Sequence, residues 1–147
     1  MTISSLSLSK VVIMLILVSF NLNIGMSADT LLNPWGKVHV TMNNKLNNTQ
    51  LDIHCKDKHW DSKPQVVPIG QSWTFHFRNN PFSNYLFFCS FAWVEGGIFE
   101  VRRFDIYVAG RDDDVCQQCT WDISEKGPCR VSGYEAPACY AWKQENV

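Results

Sequence analysis

From Lys37 onward hydrophobic and polar positions alternate, with Val38, Val40 and Met42 on one side and His39 and Thr41 on the other. A period of two predicts a strand with one dry face. Leu51, Ile53 and Cys55 repeat the pattern against Asp52, His54 and Lys56, so the two segments are expected to form a hairpin through the polar stretch 43–50. Pro64 and Pro68 then break the chain, and Gly70 leads into 72–79, where Trp73, Phe75 and Phe77 alternate with Thr74, His76 and Arg78 until Asn80-Pro81. Segment 85–94 is apolar on both faces and reads as the central strand of a packed sheet. Gly96-Gly97 supplies a tight turn into 98–108, whose Phe104, Ile106 and Val108 alternate with Asp105 and Tyr107. Cys119, Trp121 and Ile123 share a face of a further strand, and Lys126-Gly127-Pro128 turns the chain into a short final pair of segments.

Between 28 and 147 no window of ten or more residues keeps a helical stripe free of Pro or Gly. Six to nine short strands separated by frequent turns predict an all-β fold. A small antiparallel β-sandwich stabilised by disulfides is preferred over a small barrel.

The N-terminal segment follows a different pattern. After Lys10, the only charge in the first ten residues, positions 11–20 are apolar except for Ser19. That is the pattern of a signal peptide. The run is about half of the roughly twenty residues needed to span a bilayer, and it has neither the polar face nor the cap of a packed helix. Gly25 and Ser27 suit a cleavage after Ser27, dividing the chain into a signal peptide, 1–27, and a secreted domain, 28–147.

Composition narrows the functional classes. The 147 residues are 46% hydrophobic, and 13 Lys and Arg against 14 Asp and Glu leave a net charge of −1. No global positive field exists to hold nucleic acid or an anionic bilayer, and direct membrane insertion is not expected. All six cysteines, Cys55, Cys89, Cys116, Cys119, Cys129 and Cys139, lie beyond the signal segment, which in an exported chain predicts three disulfides. Cys129 with Cys139 is the preferred single pairing. Cys116 and Cys119 form a C-x-x-C, but no second such pair completes a zinc ribbon and a strand pattern follows where a redox motif has a helix. The two thiols are therefore expected to face different partners.

Candidate chemistry is sparse. Asn47-Asn48-Thr49 is a glycosylation sequon in a polar turn, making Asn47 the expected acceptor. His39, His54, His59 and His76 would have to converge on a pocket to support a hydrolase or ribonuclease, and no G-x-S-x-G, H-E-x-x-H or phosphate-loop pattern occurs. Asp112-Asp113-Asp114 lacks the spacing of an EF-hand and reads as a solvated loop held by Arg102, Arg103 or Arg111 rather than a calcium site. Trp60, in the polar stretch Lys56, Asp57, Lys58, His59, Trp60, Asp61, could anchor a partner, stack on a sugar or tuck under the sheet edge. No metal, cofactor or catalytic residue is assigned.

The order of features also carries a resemblance. His54-Cys55, Leu86-Phe87-Phe88-Cys89, Trp93, Phe104-Asp105-Ile106-Tyr107, Arg111-Asp112, Cys116, Cys119-x-Trp121, Gly127-Pro128-Cys129 and Cys139-Tyr140-x-Trp142 appear in sequence. Together they resemble the plant self-incompatibility S-protein homologues over roughly 38–142. The resemblance implies a secreted β-sandwich without known catalysis, whose founding members are stigma ligands read by a pollen membrane protein in pollen–pistil incompatibility. A membrane receptor is accordingly the expected partner, and the chain is expected to be a monomer. Where the family typically has Ser-Lys-Asp-Asp-Asp-Leu-Gly after His-Cys, this chain has Lys56, Asp57, Lys58, His59, Trp60 and Asp61. That loop and the turn Arg111, Asp112, Asp113, Asp114 are the candidate partner-binding residues. A secreted glycan-binding module and a secreted hydrolase or ribonuclease are the alternatives.

Overall fold

The computed structural model describes residues 5–22, 36–80, 82–133 and 135–143. Pro81 and the expected cleavage point after Ser27 lie outside them. The chain divides into two compact units, 1–34 and 35–147. The first contains α1 (Ser5–Leu22), a helix whose Leu8 and residues 11–18 stay about half exposed. Among the described residues no helix is long and apolar enough to cross a membrane.

The second unit is a sandwich of two sheets. Its strands are β1 (Lys37–Asn44), β2 (Leu51–Lys56), β3 (Gln65–Val67), β4 (Ser72–Arg78), β5 (Leu86–Glu95), β6 (Ile98–Val108), β7 (Gln118–Ser124), β8 (Gly127–Arg130) and β9 (Ala138–Cys139). One sheet has the order β4-β1-β7-β8-β9 and the other β3-β2-β5-β6. All pairings are antiparallel except β1 with β7. Among the described residues of this unit a single helical turn, α2 (Ala109–Asp112), follows β6.

The inward faces follow the alternation in the sequence: Val38, Val40 and Met42 from one sheet meet Leu51, Ile53, Phe91 and Trp93 from the other in a single core. Cys119, Trp121 and Ile123 are buried on β7 as expected. Gly96 and Gly97 join β5 to β6 with φ of 57° and 80°, the left-handed pair that a two-residue hairpin turn requires.

Three expectations are corrected. β1 and β2 do not form a hairpin; they belong to different sheets, and 43–50 crosses between them. The crossover is held from inside, because buried Asn44 donates its side-chain amide to the carbonyls of Thr49 (2.9 Å) and Val67 (3.0 Å) and accepts from the Leu46 N–H (3.0 Å). Leu46 itself is buried in the core. Segment 85–94 is central in its sheet yet dry on one face only, since Phe87, Cys89, Phe91 and Trp93 are buried while Leu86, Phe88 and Val94 are exposed. In β6 the alternation breaks at a bulge opposite Phe87 and Phe88. The extra residue brings Tyr107 inward beside Ile106 and leaves Val108 half-buried.

Candidate functional site

The loop 56–61 leaves the end of β2 and returns antiparallel to it. Ser62 N–H bonds to the Cys55 carbonyl (2.9 Å), its hydroxyl accepts from Cys55 N–H (3.0 Å), and Lys56 bridges to Asp61. Inside the turn, one carboxylate oxygen of Asp57 accepts the backbone N–H groups of His59 (2.6 Å) and Trp60 (2.5 Å). An Asp in this position substitutes its side chain for missing backbone partners, which gives a polar loop a defined shape.

Asp61 fixes the other side. His54 Nε2 lies 2.7 Å from one oxygen, which also accepts the Lys63 N–H (2.8 Å), and Lys56 Nζ lies 3.3 Å from the other. The imidazole contact, then the Lys63 N–H, hold the Asp61 carboxyl far below the usual carboxylate range, burial opposing them weakly and Lys56 adding to them. Lys58 and His59 are left exposed at the tip. Beside the loop, His54, Lys56, Phe88, Ser90 and Arg103 line a groove of about 380 Å³ on the outer face of the sheet.

Trp60 is divided between two roles. It remains 37% exposed, but its ring lies 5.1 Å from Phe75 and 5.9 Å from Phe87. It therefore caps an aromatic cluster that continues through Phe77, Tyr85 and Tyr107.

The acidic turn is not a solvated loop. Asp112 is fully buried and accepts the Val108 N–H (2.8 Å), Arg111 Nε (3.0 Å) and Nη2 (2.7 Å), and Arg130 Nη1. Arg111 also donates to the Asp105 carbonyl (2.9 Å), and its guanidinium lies within 5.3 Å of the Phe104, Trp121 and Tyr140 ring centres. Arg102 instead pairs with Glu100 (2.7 Å). Asp113 accepts the Tyr107 hydroxyl (2.6 Å), and burial, then this bond, push the phenol well above its ordinary range. Of the three carboxylates only Asp114 is exposed. Asp112 is thus an interior cross-link, and its place among partner-binding residues is withdrawn because burial removes it from any partner, whereas the half-buried Arg111 side chain is committed to holding it. Arg130, which sequence reasoning missed, completes the network; it sits where β8 alternation points inward, a signal masked by its charge.

All six cysteines are paired: Cys55–Cys89, Cys116–Cys119 and Cys129–Cys139. The preferred Cys129–Cys139 bridge is present, whereas Cys116 and Cys119 bond to each other instead of to separate partners. They can do so because Cys116 lies in the bend ahead of β7, which brings its Cα to 5.2 Å from that of Cys119. Asn47 is exposed on the crossover, where its backbone N–H is anchored by Glu125 (2.7 Å). His39 and His76 meet with ring centres 5.6 Å apart on an open sheet face, His54 is engaged by Asp61, and His59 stands in the loop.

Residues 39–142 match the family described as plant self-incompatibility protein S1. Among curated proteins, the chain is similar to three from Arabidopsis thaliana. It is 40% identical to S-protein homolog 5 over 109 residues, covering 74% of this chain and 80% of that protein. It is 39% identical to S-protein homolog 20 over 100 residues, covering 67% and 70%. With S-protein homolog 2 the identity is 38% over 120 residues, covering 76% and 71%.

Proposed function

The chain belongs to the plant self-incompatibility S-protein homologue family, and on that premise we propose that it is a secreted signalling ligand read by a cell-surface receptor. Segment 1–27 acts as the export signal, Asn47 carries a glycan, and the ligand is monomeric and performs no catalysis. The receptor reads the loop 56–61 with the adjoining groove.

The observation that carries this reading is the combination of a rigid loop and exposed tips. Asp57 and Asp61 fix the backbone through four contacts to N–H groups and His54, while Lys58 and His59 remain exposed. A pre-shaped loop loses little entropy on binding, and the exposed residues can vary without disturbing the core. The groove adds an aromatic floor, Phe88, between His54, Lys56 and Arg103. The loop is also where the sequence departs from the usual family pattern, so the founding role in pollen–pistil incompatibility does not carry over to this chain with family membership alone.

Cross-linking of labelled secreted protein to plant membranes tests the reading. Lys58→Ala with His59→Ala should weaken capture at least about tenfold, the loss of about 1.4 kcal/mol expected when the pair includes one hot-spot contact, without lowering the melting temperature. Equal capture by the folded variant would exclude the loop as the recognition surface.

A further inference from the structure

The open face of the other sheet carries a second feature, independent of the loop. β4 is the outermost strand of its sheet and pairs with β1 in the register Lys37↔Arg78, His39↔His76 and Thr41↔Thr74. His39 donates its backbone N–H to Gln117 (2.8 Å), so its main-chain polar groups face β7. It therefore meets His76 as a pair that shares no backbone hydrogen bonds, the arrangement that brings cross-strand side chains closest. Lys37↔Arg78 and Thr41↔Thr74 have the same parity. The two threonine hydroxyls hydrogen-bond at 2.8 Å, and the two imidazoles lie 5.6 Å apart.

Four basic side chains thus stand as two adjacent cross-strand pairs on one exposed face. Like charges directly opposite each other weaken a sheet, and among the described residues no salt bridge involves Lys37, His39, His76 or Arg78. On the same face β7 presents Gln118, Thr120 and Asp122, and Asp122 is bonded to Asn43 at 2.7 Å. The parity that turns the N–H and C=O groups of Trp73, Phe75 and Phe77 toward β1 turns those of Ser72, Thr74, His76 and Arg78 to the unpaired edge. Among the described residues, one place therefore offers both an unpaired ladder and an unmet positive charge.

We propose that the β4 edge, with Lys37, His39, His76 and Arg78, docks an extended acidic peptide segment of a partner protein. The segment continues the sheet through backbone hydrogen bonds and sets carboxylates at alternate residues against His76 and Arg78. A small anion could use the charges but not the ladder. A second copy's β4 has no carboxylate to offer.

The probe is a short synthetic peptide of alternating Glu and Thr, titrated into the full secreted protein and followed by calorimetry and amide shifts. Shifts should concentrate on Ser72, Thr74, His76 and Arg78. A glutamine analogue, and an analogue N-methylated on the face that joins the ladder, should each lose at least about tenfold. His76→Gln with Arg78→Gln, both exposed and so expected to keep the melting temperature, should lose as much. The proposal is overturned if the glutamate peptide does not bind, if the double variant binds it unchanged, or if the N-methylated peptide or a sulfated polysaccharide binds equally well, since the last two would show charge attraction without strand addition.

Discussion

Replacing Asp112 with Ala should be among the most destabilising single changes in the sandwich. The carboxylate is fully buried, and the Arg130 side chain that it holds is only 3% exposed. Removing it leaves that guanidinium in the interior with a long contact to Glu135 at 3.4 Å and the face of Trp121 at 5.9 Å, neither of which replaces a buried carboxylate. It also strips the Val108 N–H of its acceptor. Arg111 suffers less, because its side chain is 24% exposed and can turn to water. Breaking a buried pair by deleting one partner costs about 3–5 kcal/mol, so we take about 4 kcal/mol, which is a large part of the roughly 5–15 kcal/mol that holds a domain folded. At roughly 4 °C per kcal/mol for a unit of this size, the melting temperature should fall by about 15 °C. Urea unfolding followed by tryptophan fluorescence measures the loss. The double variant Asp112→Leu with Arg130→Met should recover about half of that loss, since it leaves no unpaired charge in place of Arg130 while the Val108 N–H still lacks its acceptor. A single variant that loses less than about 1 kcal/mol, or a pair whose effects simply add, would refute the network as a buried cross-link.

Three further outcomes follow from the geometry. The disulfides close loops with sequence separations of 34, 10 and 3 for Cys55–Cys89, Cys129–Cys139 and Cys116–Cys119, so paired Cys→Ser changes should cost about 4, 3 and 2 kcal/mol in that order; chemical denaturation that reverses the ranking would count against the loop-entropy account. Because the Asp61 carboxyl is held far below its ordinary value, the contribution of the His54–Asp61 contact should be present above the unfolded carboxylate value of about 3.9 and be lost only as pH falls through the lower folded value. NMR titration should show this, and His54→Ala should move the Asp61 midpoint upward; an unmoved midpoint removes His54 as the main cause. Trp60→Ala should lower stability by about 2 kcal/mol, scaled down from a fully buried aromatic because the residue is 37% exposed; an unchanged melting temperature would mean that its contacts with Phe75 and Phe87 hold nothing.

The inward faces of the strands were legible because period two reports directly which side chains are dry. It does not report which strand lies next door. β1 and β2 have matching alternation and a polar stretch between them, yet Leu46 in that stretch was the sign of a crossover, because a hairpin tip would have no interior in which to bury it. The bulge at Phe87 and Phe88 is invisible to any fixed period, so Tyr107 was placed on the wrong face. Asp112 was misread for a different reason. A run of three aspartates has the composition of a solvated loop, and burial of one of them becomes tolerable when the distant Arg130, brought in by β8, joins the adjacent Arg111. The loop 56–61 was found by composition, whereas its rigidity depends on Asp57 and Asp61 reaching particular N–H groups. The basic quartet escaped notice because Lys37 and His39 alternate in one segment and His76 and Arg78 in another; only the β1–β4 register brings them together.

The interactions that hold the sandwich are largely separate from those that shape its candidate recognition surfaces. Apolar burial and the buried Asp112–Arg130 pair stabilise the interior, and both act on residues that no partner can reach. Local hydrogen bonds from Asp57 and Asp61 shape the loop, leaving Lys58 and His59 out of the core. Substitution at such exposed positions changes stability by only about 0.5 kcal/mol, against several for the buried network. Trp60 is the exception, because one ring both caps the aromatic cluster and borders the exposed tip. A chain that changes its partner by changing this loop is therefore free at Lys58 and His59 but constrained at Trp60, where a smaller side chain would loosen the end of the sandwich as it altered the surface.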